Sequence, residues 1–424
     1  MYSKYLIINI NKMKTFYNLP EKIIYCKKCL MSNQRPNMCS EHYNTVEQKK
    51  TTIKFHDEVC DACRFSEQKK EIDWDKRENE LKKLLDKYRS TDGSYDVIVP
   101  GSGGKDSFYA AHILKKKYNM NPLTCTFAPN IYTEWGFANF NNWIDSGFSN
   151  YKFTADGEVH KLITRLSIEN ILHPFQPWIL GQKNYPTKFS IMSKIPLIVY
   201  GDNPAEYGNP HADLSDDMNM EWFSCKDPNE IFISGYPIKK LKKDLDLTNA
   251  QLEPYVPVTE KEFHKHQLKY VSLSYFTNWH PQKNYYYTIE NSENFQTSPE
   301  RTCGTYTTNS SLDDRVDDLH YYTTYIKFGL GRVHYDVAQE IRNGDITIEE
   351  GRELINKYNG EFPDRWFDKI SDYLTINPNK FPKIKNFFSE YNFDKIYFQN
   401  VCDKFRSPHL WTKKNNEYKP NFNL

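Results

Sequence analysis

The 424-residue sequence has no long hydrophobic run. Its N-terminus offers only Tyr5-Leu-Ile-Ile-Asn-Ile10 between lysines, too short and too interrupted for a secretory signal. Nothing later approaches the ~20 apolar residues of a membrane span. An excess of either charge is also missing. Lys and Arg number 56 against 55 Asp and Glu, a net charge of +1, which excludes a broad nucleic-acid footprint. Cysteines are few and odd in number, nine in all, which excludes a disulfide framework. These absences together describe a soluble, cytoplasmic chain. What is present, 38% hydrophobic and 15% aromatic residues, suffices for a sizeable core divided between two or three domains.

Four of the cysteines stand in pairs. Cys26-Lys-Lys-Cys29 and Cys60-Asp-Ala-Cys63 are two C-x2-C knuckles, each able to present two thiolates at the ~2.3 Å of a Zn–S bond. Two knuckles close a tetrahedral site, so Zn²⁺ on Cys26, Cys29, Cys60 and Cys63 is expected in a module over residues 1–75. Cys39 and His42, themselves spaced like a ligand pair, are rivals for one position.

The centre of the chain is Tyr95-Asp-Val-Ile-Val-Pro-Gly-Ser-Gly-Gly-Lys-Asp-Ser-Phe108. It reads as a buried strand, a glycine turn and a helix opening at Asp106-Ser107. Such a turn points successive N–H groups and a helix N-terminus at one spot, which makes an anion site. Beyond it, strands at Asn121–Ala128, Asn150–Thr154 and Ile195–Tyr200 alternate with helices at 135–148, 157–172 and 188–194. Alternation of this kind means βαβ units and a doubly wound parallel α/β sheet over 76–210, with ligands beyond the carboxyl ends of the strands. The second strand end, Gly201-Asp202-Asn203, is therefore expected to face the first. Gly181-Gln182-Lys183-Asn184-Tyr185-Pro186 reads as a polar stretch before a helix. Residues 211–320 read as an insertion that binds substrate, with a loop at 298–311. Residues 321–424 read as a helical lobe, with a capping box at Thr347 and Glu350.

The run Ser102-Gly103-Gly104-Lys105-Asp106-Ser107 is not the longer Walker spacing. It resembles the pyrophosphate loop of the N-type ATP pyrophosphatases, a superfamily of adenylating enzymes whose fold this sheet would share. Gly101, Ser102, Gly103, Gly104, Lys105, Asp106 and Ser107 are then the ATP-binding residues. The amides and hydroxyls would bind the leaving pyrophosphate, and Asp106 would hold Mg²⁺.

Over most of its length the chain resembles the N-acetyl sugar amidotransferases of bacterial surface polysaccharide and flagellar glycan synthesis. The shared features are both cysteine knuckles, the glycine loop, Gly181–Pro186, Tyr200-Gly-Asp-Asn203, Lys327-Phe-Gly-Leu-Gly-Arg332 and Ile341-Arg-Asn-Gly344. The resemblance implies ATP-dependent conversion of an acetamido sugar, of pseudaminic or legionaminic acid type, to an acetamidino sugar. Asp106, Lys105, Asp202, Lys327 and Arg332 would be catalytic, with Gln182, Asn203 and Arg332 binding substrate. At position 202 the resemblance leads to Glu, and Asp shortens the reach by ~1.5 Å. No cysteine sits where a glutaminase nucleophile belongs: residue 2 is Tyr, and Arg301-Thr-Cys303-Gly304 lacks a strand–helix context. Ammonia is thus expected from a separate glutaminase partner, through a barrel-type conduit as the resemblance implies. The alternative is a tRNA-modifying enzyme of thiolase or lysidine type, with Cys125 and Cys225 available for thiolation.

Overall fold

The computed structural model describes residues 14–38, 40–44, 52–202, 204–209 and 222–424. Cys39 and Asn203 therefore lie outside the described residues.

Five parallel strands form the centre: β1 (Val97–Pro100), β2 (Pro122–Phe127), β3 (Asn150–Phe153), β4 (Leu197–Tyr200) and β5 (Lys269–Ser272). Their spatial order is β5-β4-β1-β2-β3, with every neighbouring pair parallel. The chain winds outward through β2 and β3, then returns to the other side of β1. The reversal falls between β1 and β4, where an open α/β sheet leaves a crevice beyond the strand ends.

The strands are apolar on both sides because both faces are covered. Val97, Val99, Leu197, Val199 and Val271 meet Phe108, Ala111 and Leu114 of α3 (Lys105–Lys116) and Leu81 and Leu85 of α2 (Trp74–Tyr88). On the opposite face Ile98, Ile198 and Tyr270 pack with Leu123, Phe189 and Phe223. Each such side chain, fully buried, contributes ~1.5–3 kcal/mol. Helix α2 starts where Asp73 accepts a hydrogen bond from the Lys76 N–H.

Two expectations need revision. Residues 211–320, read as an insertion, supply β5 and so complete the central sheet. The stretch Gly181–Pro186 is not a loop before a helix. It lies inside a single helix, α6 (Gln176–Ser193), with Pro186 in its interior. Proline removes the N–H that would bond the fourth residue back. The helix nevertheless runs on through Ser193, and Thr187 Oγ1 donates to the Lys183 carbonyl at 3.2 Å.

The C-terminal region is helical, with α8 (Val316–Phe328), α9 (Arg332–Asn343), α10 (Ile348–Tyr358) and α11 (Asp364–Leu374). The capping box of Thr347 and Glu350 opens α10. The polar loop 298–311 is tied down. Arg301 pairs with Glu361, whose carboxylate also accepts from the Gly304 N–H at 2.7 Å, and Arg365 donates to Ser298 Oγ at 3.1 Å. The cysteine module meets the C-terminal segment: the Phe16 N–H donates to Ser407 Oγ at 2.8 Å, and His409 lies 3.0 Å from Gln34 Oε1. Among the described residues no helix is long and apolar enough to cross a membrane.

Candidate functional site

The turn after β1 is fixed by its neighbours. Gly101 donates its N–H to the Cys125 carbonyl at 3.0 Å and accepts from Thr126 Oγ1 at 2.7 Å. Gly103 has φ +87°, and a Cβ there would stand 2.7 Å from the Asn139 carbonyl oxygen and 2.8 Å from Phe140 Cα. Only glycine fits both the conformation and the space. Gly104 is the N-cap of α3 and gives it no side-chain cap, so the first-turn amides point outward. Among the described residues the N–H groups of Ser102, Gly103 and Gly104 meet no backbone acceptor. Ser107 Oγ donates to the Gly104 carbonyl at 3.0 Å, closing the turn. An anion placed here would complete the hydrogen bonding of the loop.

Asp106 is held from two sides. Lys105 Nζ lies 3.1 Å from one carboxylate oxygen, and Asn284 Nδ2 donates to the other at 3.3 Å. Asn284 belongs to α7 (Pro281–Asn291), where Thr288 Oγ1 also donates to the Lys105 carbonyl at 3.1 Å. Neither role is legible from the sequence, since a polar residue on an amphipathic helix reads as surface.

The second strand end does face the first. A Cβ on Gly201 would lie 3.6 Å from the Asp106 carbonyl oxygen. Asp202 reaches solvent, yet the protein around it strips away enough water to raise its pKa, and the Asp106 charge raises it further. Tyr207 hydrogen-bonds the Asp202 carboxylate. Lys183 faces Asp202 from α6, with its ammonium 5.0 Å from the Tyr200 ring centre and 5.2 Å from that of Phe223. Burial lowers the pKa of Lys183 and Asp202 opposes the shift. Helical packing against the end of β4 aims Lys183 here, whereas its neighbour Gln182 is half-buried on the same helix.

A third carboxylate, Glu206, lies in the short turn Pro204–Tyr207, with its Oε1 2.7 Å from Lys69 Nζ. Burial raises its pKa, and Asp202 adds to the rise. Among the described residues Asp106, Asp202 and Glu206 do not form a group with metal-ligand spacing; the group that does is the cysteine cluster.

The C-terminal basic residues each have partners of their own. Lys327 is buried and donates to the Ile171 carbonyl at 3.2 Å. Arg332 bonds Asp336 at 2.9 Å, the Tyr321 hydroxyl at 2.8 Å and Ser311 Oγ at 3.3 Å. Burial disfavours its charge, but Asp336, Tyr321 and Asp317 outweigh that effect and hold it cationic.

Asp314 ties this lobe to the sheet. Its oxygens accept from the N–H groups of Asn130 at 2.6 Å, Ile131 at 3.2 Å and Val316 at 3.0 Å. Asp318, buried beside Arg365 at 3.8 Å, is pushed by burial up to about 7. The protonated form therefore favours the fold. This contribution is complete below pH ~4 and is lost as pH rises towards 7. Asp318→Asn is expected to leave stability at pH 4 unchanged and raise it at pH 8 by on the order of 1–3 kcal/mol. Urea unfolding at the two pH values checks this, and equal shifts at both would refute it.

The four knuckle sulfurs lie within 4.8 Å of one another, all buried, with Cys26–Cys63 at 3.7 Å and Cys29–Cys60 at 3.6 Å. A tetrahedron with 2.3 Å bonds has edges of ~3.8 Å, so the cluster fits Zn²⁺. Cys60 caps α1 (Asp61–Gln68), which sets Cys63 in the first turn facing the other knuckle. His42 lies outside the cluster, against the Tyr43 ring at 4.3 Å. Cys125 is buried in β2 and its thiol is pushed well up by burial, while Cys225 is raised to about 11. Neither has the lowered pKa of a reactive thiol.

Residues 274–423 match the family model described as LPS biosynthesis protein WbpG-like, C-terminal domain. The matched region, about a third of the chain, includes α7, Lys327 and Arg332, and it links the C-terminal region to polysaccharide biosynthesis. A stretch of 94 residues is 32% identical to the uncharacterized protein MJ1599 of Methanocaldococcus jannaschii. It covers 22% of this chain and 33% of that protein, so the chain spans a third of the length of the curated relative it matches.

Proposed function

We propose that this protein is an ATP-dependent amidotransferase of the pyrophosphate-loop type, acting on an N-acetylated sugar for a bacterial surface polysaccharide or glycan. The observation that carries the reading is the pairing, at the reversal point of the sheet, of an anion-binding glycine turn with the Asp106–Asp202 carboxylates. The match of residues 274–423 to a lipopolysaccharide-biosynthesis domain supports the sugar class.

In this reading the free amides of Ser102 to Gly104 and the start of α3 receive the β- and γ-phosphates. Mg²⁺, held by Asp106 and Asp202, would neutralise charge on the departing pyrophosphate. The acetamido oxygen attacks the α-phosphorus, and pyrophosphate leaves. Ammonia from a glutaminase partner adds to the imidoyl carbon, and AMP departs with the former acetamido oxygen. Lys183, a poorly hydrated cation beside Asp202, is placed to meet phosphate charge as it develops.

The route makes a prediction about one atom. With an N-acetyl sugar labelled with ¹⁸O in its acetyl carbonyl, ATP, Mg²⁺ and ammonium, the label is expected in AMP, and the sugar should exchange that oxygen for NH. Mass spectrometry of both products reads this. Formation of ADP, or AMP free of label, would remove the adenylated imidate from the reaction.

A further inference from the structure

The cysteine cluster and the acidic loop share one cation. Arg342, in the last turn of α9, places Nη1 3.6 Å from Cys29 Sγ and Nη2 3.2 Å from the Glu206 carbonyl oxygen. The same segment is held from α1, where Ser66 Oγ donates to the Arg342 carbonyl at 3.4 Å. Glu206 takes the ammonium of Lys69, which follows α1 directly and also donates to the Trp279 carbonyl at 3.0 Å. The loop presses on α1 so closely that a Cβ at Gly208 would stand 2.9 Å from the Ala62 nitrogen, one residue before Cys63. Between Glu206 and Gly208 sits Tyr207, whose hydroxyl bonds Asp202. Arg35 lies 5.5 Å from the Tyr207 ring centre and 4.8 Å from that of Tyr335 on α9, completing the packing.

The charges explain why this contact depends on metal. A divalent ion held by four thiolates leaves the cluster with two net negative charges. Arg342 is the guanidinium in contact with it, and a poorly hydrated cation is stable only with a partner. Partners outside a metal's own ligands orient those ligands, and their loss commonly weakens metal binding 10- to 100-fold. On the far side the same guanidinium fixes the backbone of Glu206, hence the position of Tyr207 and of Asp202.

We infer that Arg342 is a positioning residue that couples metal occupancy of the cysteine centre to the order of the Pro204–Tyr207 turn. The cysteine module then acts on the cleft as well as on its own folding. The inference rests on the reading of the cysteine cluster as a metal centre, and its readouts need neither nucleotide nor sugar.

The test uses the full chain as wild type, Arg342→Gln and Arg342→Lys. Zn²⁺ and Co²⁺ affinities are measured by chelator competition, and hydrogen exchange is followed across residues 204–209 with and without metal. In wild type, metal is expected to slow exchange at 204–209. Arg342→Gln should bind metal 10- to 100-fold more weakly and, even when saturated, leave 204–209 in fast exchange. Arg342→Lys should recover part of both. Exchange in β1 and β4 should be unchanged in all three proteins, which separates the effect from general destabilisation. Normal uptake by wild type with 204–209 indifferent to metal would overturn the coupling. So would Arg342→Gln with wild-type protection at saturating metal. If wild type takes up neither ion, the metal centre itself fails, and the inference with it.

Discussion

Asp106→Ala is expected to lower AMP and pyrophosphate release by about 10²–10³-fold, the scale of losing one group that stabilises developing charge. Stability should change by no more than ~0.5 kcal/mol. The Asp106 side chain is 43% exposed, and its contacts are one lysine at 3.1 Å and one amide at 3.3 Å. Surface interactions of this kind are worth little to the fold. Such a large effect on turnover with none on unfolding would mark Asp106 as a group that meets the reacting phosphates. Discontinuous AMP assays paired with thermal unfolding read both quantities, and retained turnover would take Asp106 out of the reaction.

Gly103→Ala is expected to damage fold and function together. At φ +87° an alanine is strained, and its Cβ would run into the backbone of Asn139 and Phe140, which cannot swing aside as a side chain could. A loss of ~2–3 kcal/mol is expected, with ATP binding reduced below detection by calorimetry. Gly104→Ala is the control for stability. At φ −66° its Cβ would have Ser102 Oγ at 3.7 Å as its nearest neighbour, and the fold should tolerate it. Equal stability in the two variants would mean that the turn can relax away from α4 (Glu134–Asp145), where Asn139 and Phe140 lie.

The parts of the molecule that were legible in the sequence are those set by local chemistry. The apolar run before Gly101, the Thr347 capping box and the two C-x2-C knuckles each carry their signal within a few residues. The parts that were hidden depend on distant partners. Lys269–Ser272 is a short strand, and nothing local says that it pairs with Leu197–Tyr200 across some seventy intervening residues. Gly181–Pro186 read as a polar stretch before a helix, and tertiary packing carries the helix through it. Lys183 was passed over for Gln182 because the helix turn that aims one at Asp202 was not visible. Position 202 looked one methylene too short for its role. The longer carboxylate stands at Glu206, in the same loop, bonded to Lys69 of a different module. Arg342 looked like a residue of a helix end, although it touches a cysteine sulfur more than three hundred positions away.

The meeting of the cysteine module and the C-terminal segment sets a schedule for synthesis. Phe16 waits for Ser407, Gln34 for His409, and the Cys29 sulfur for Arg342. At about 5–20 residues per second, a ribosome needs roughly 20–80 s to cover the distance from the first of these partners to the last. For roughly 14–56 s of it, the time from Cys63 to Arg342, the knuckles have emerged but their covering helix has not. The nascent chain carries its thiols uncovered for longer than many domains take to fold, so an early-bound metal ion would protect them until the C-terminal helices arrive.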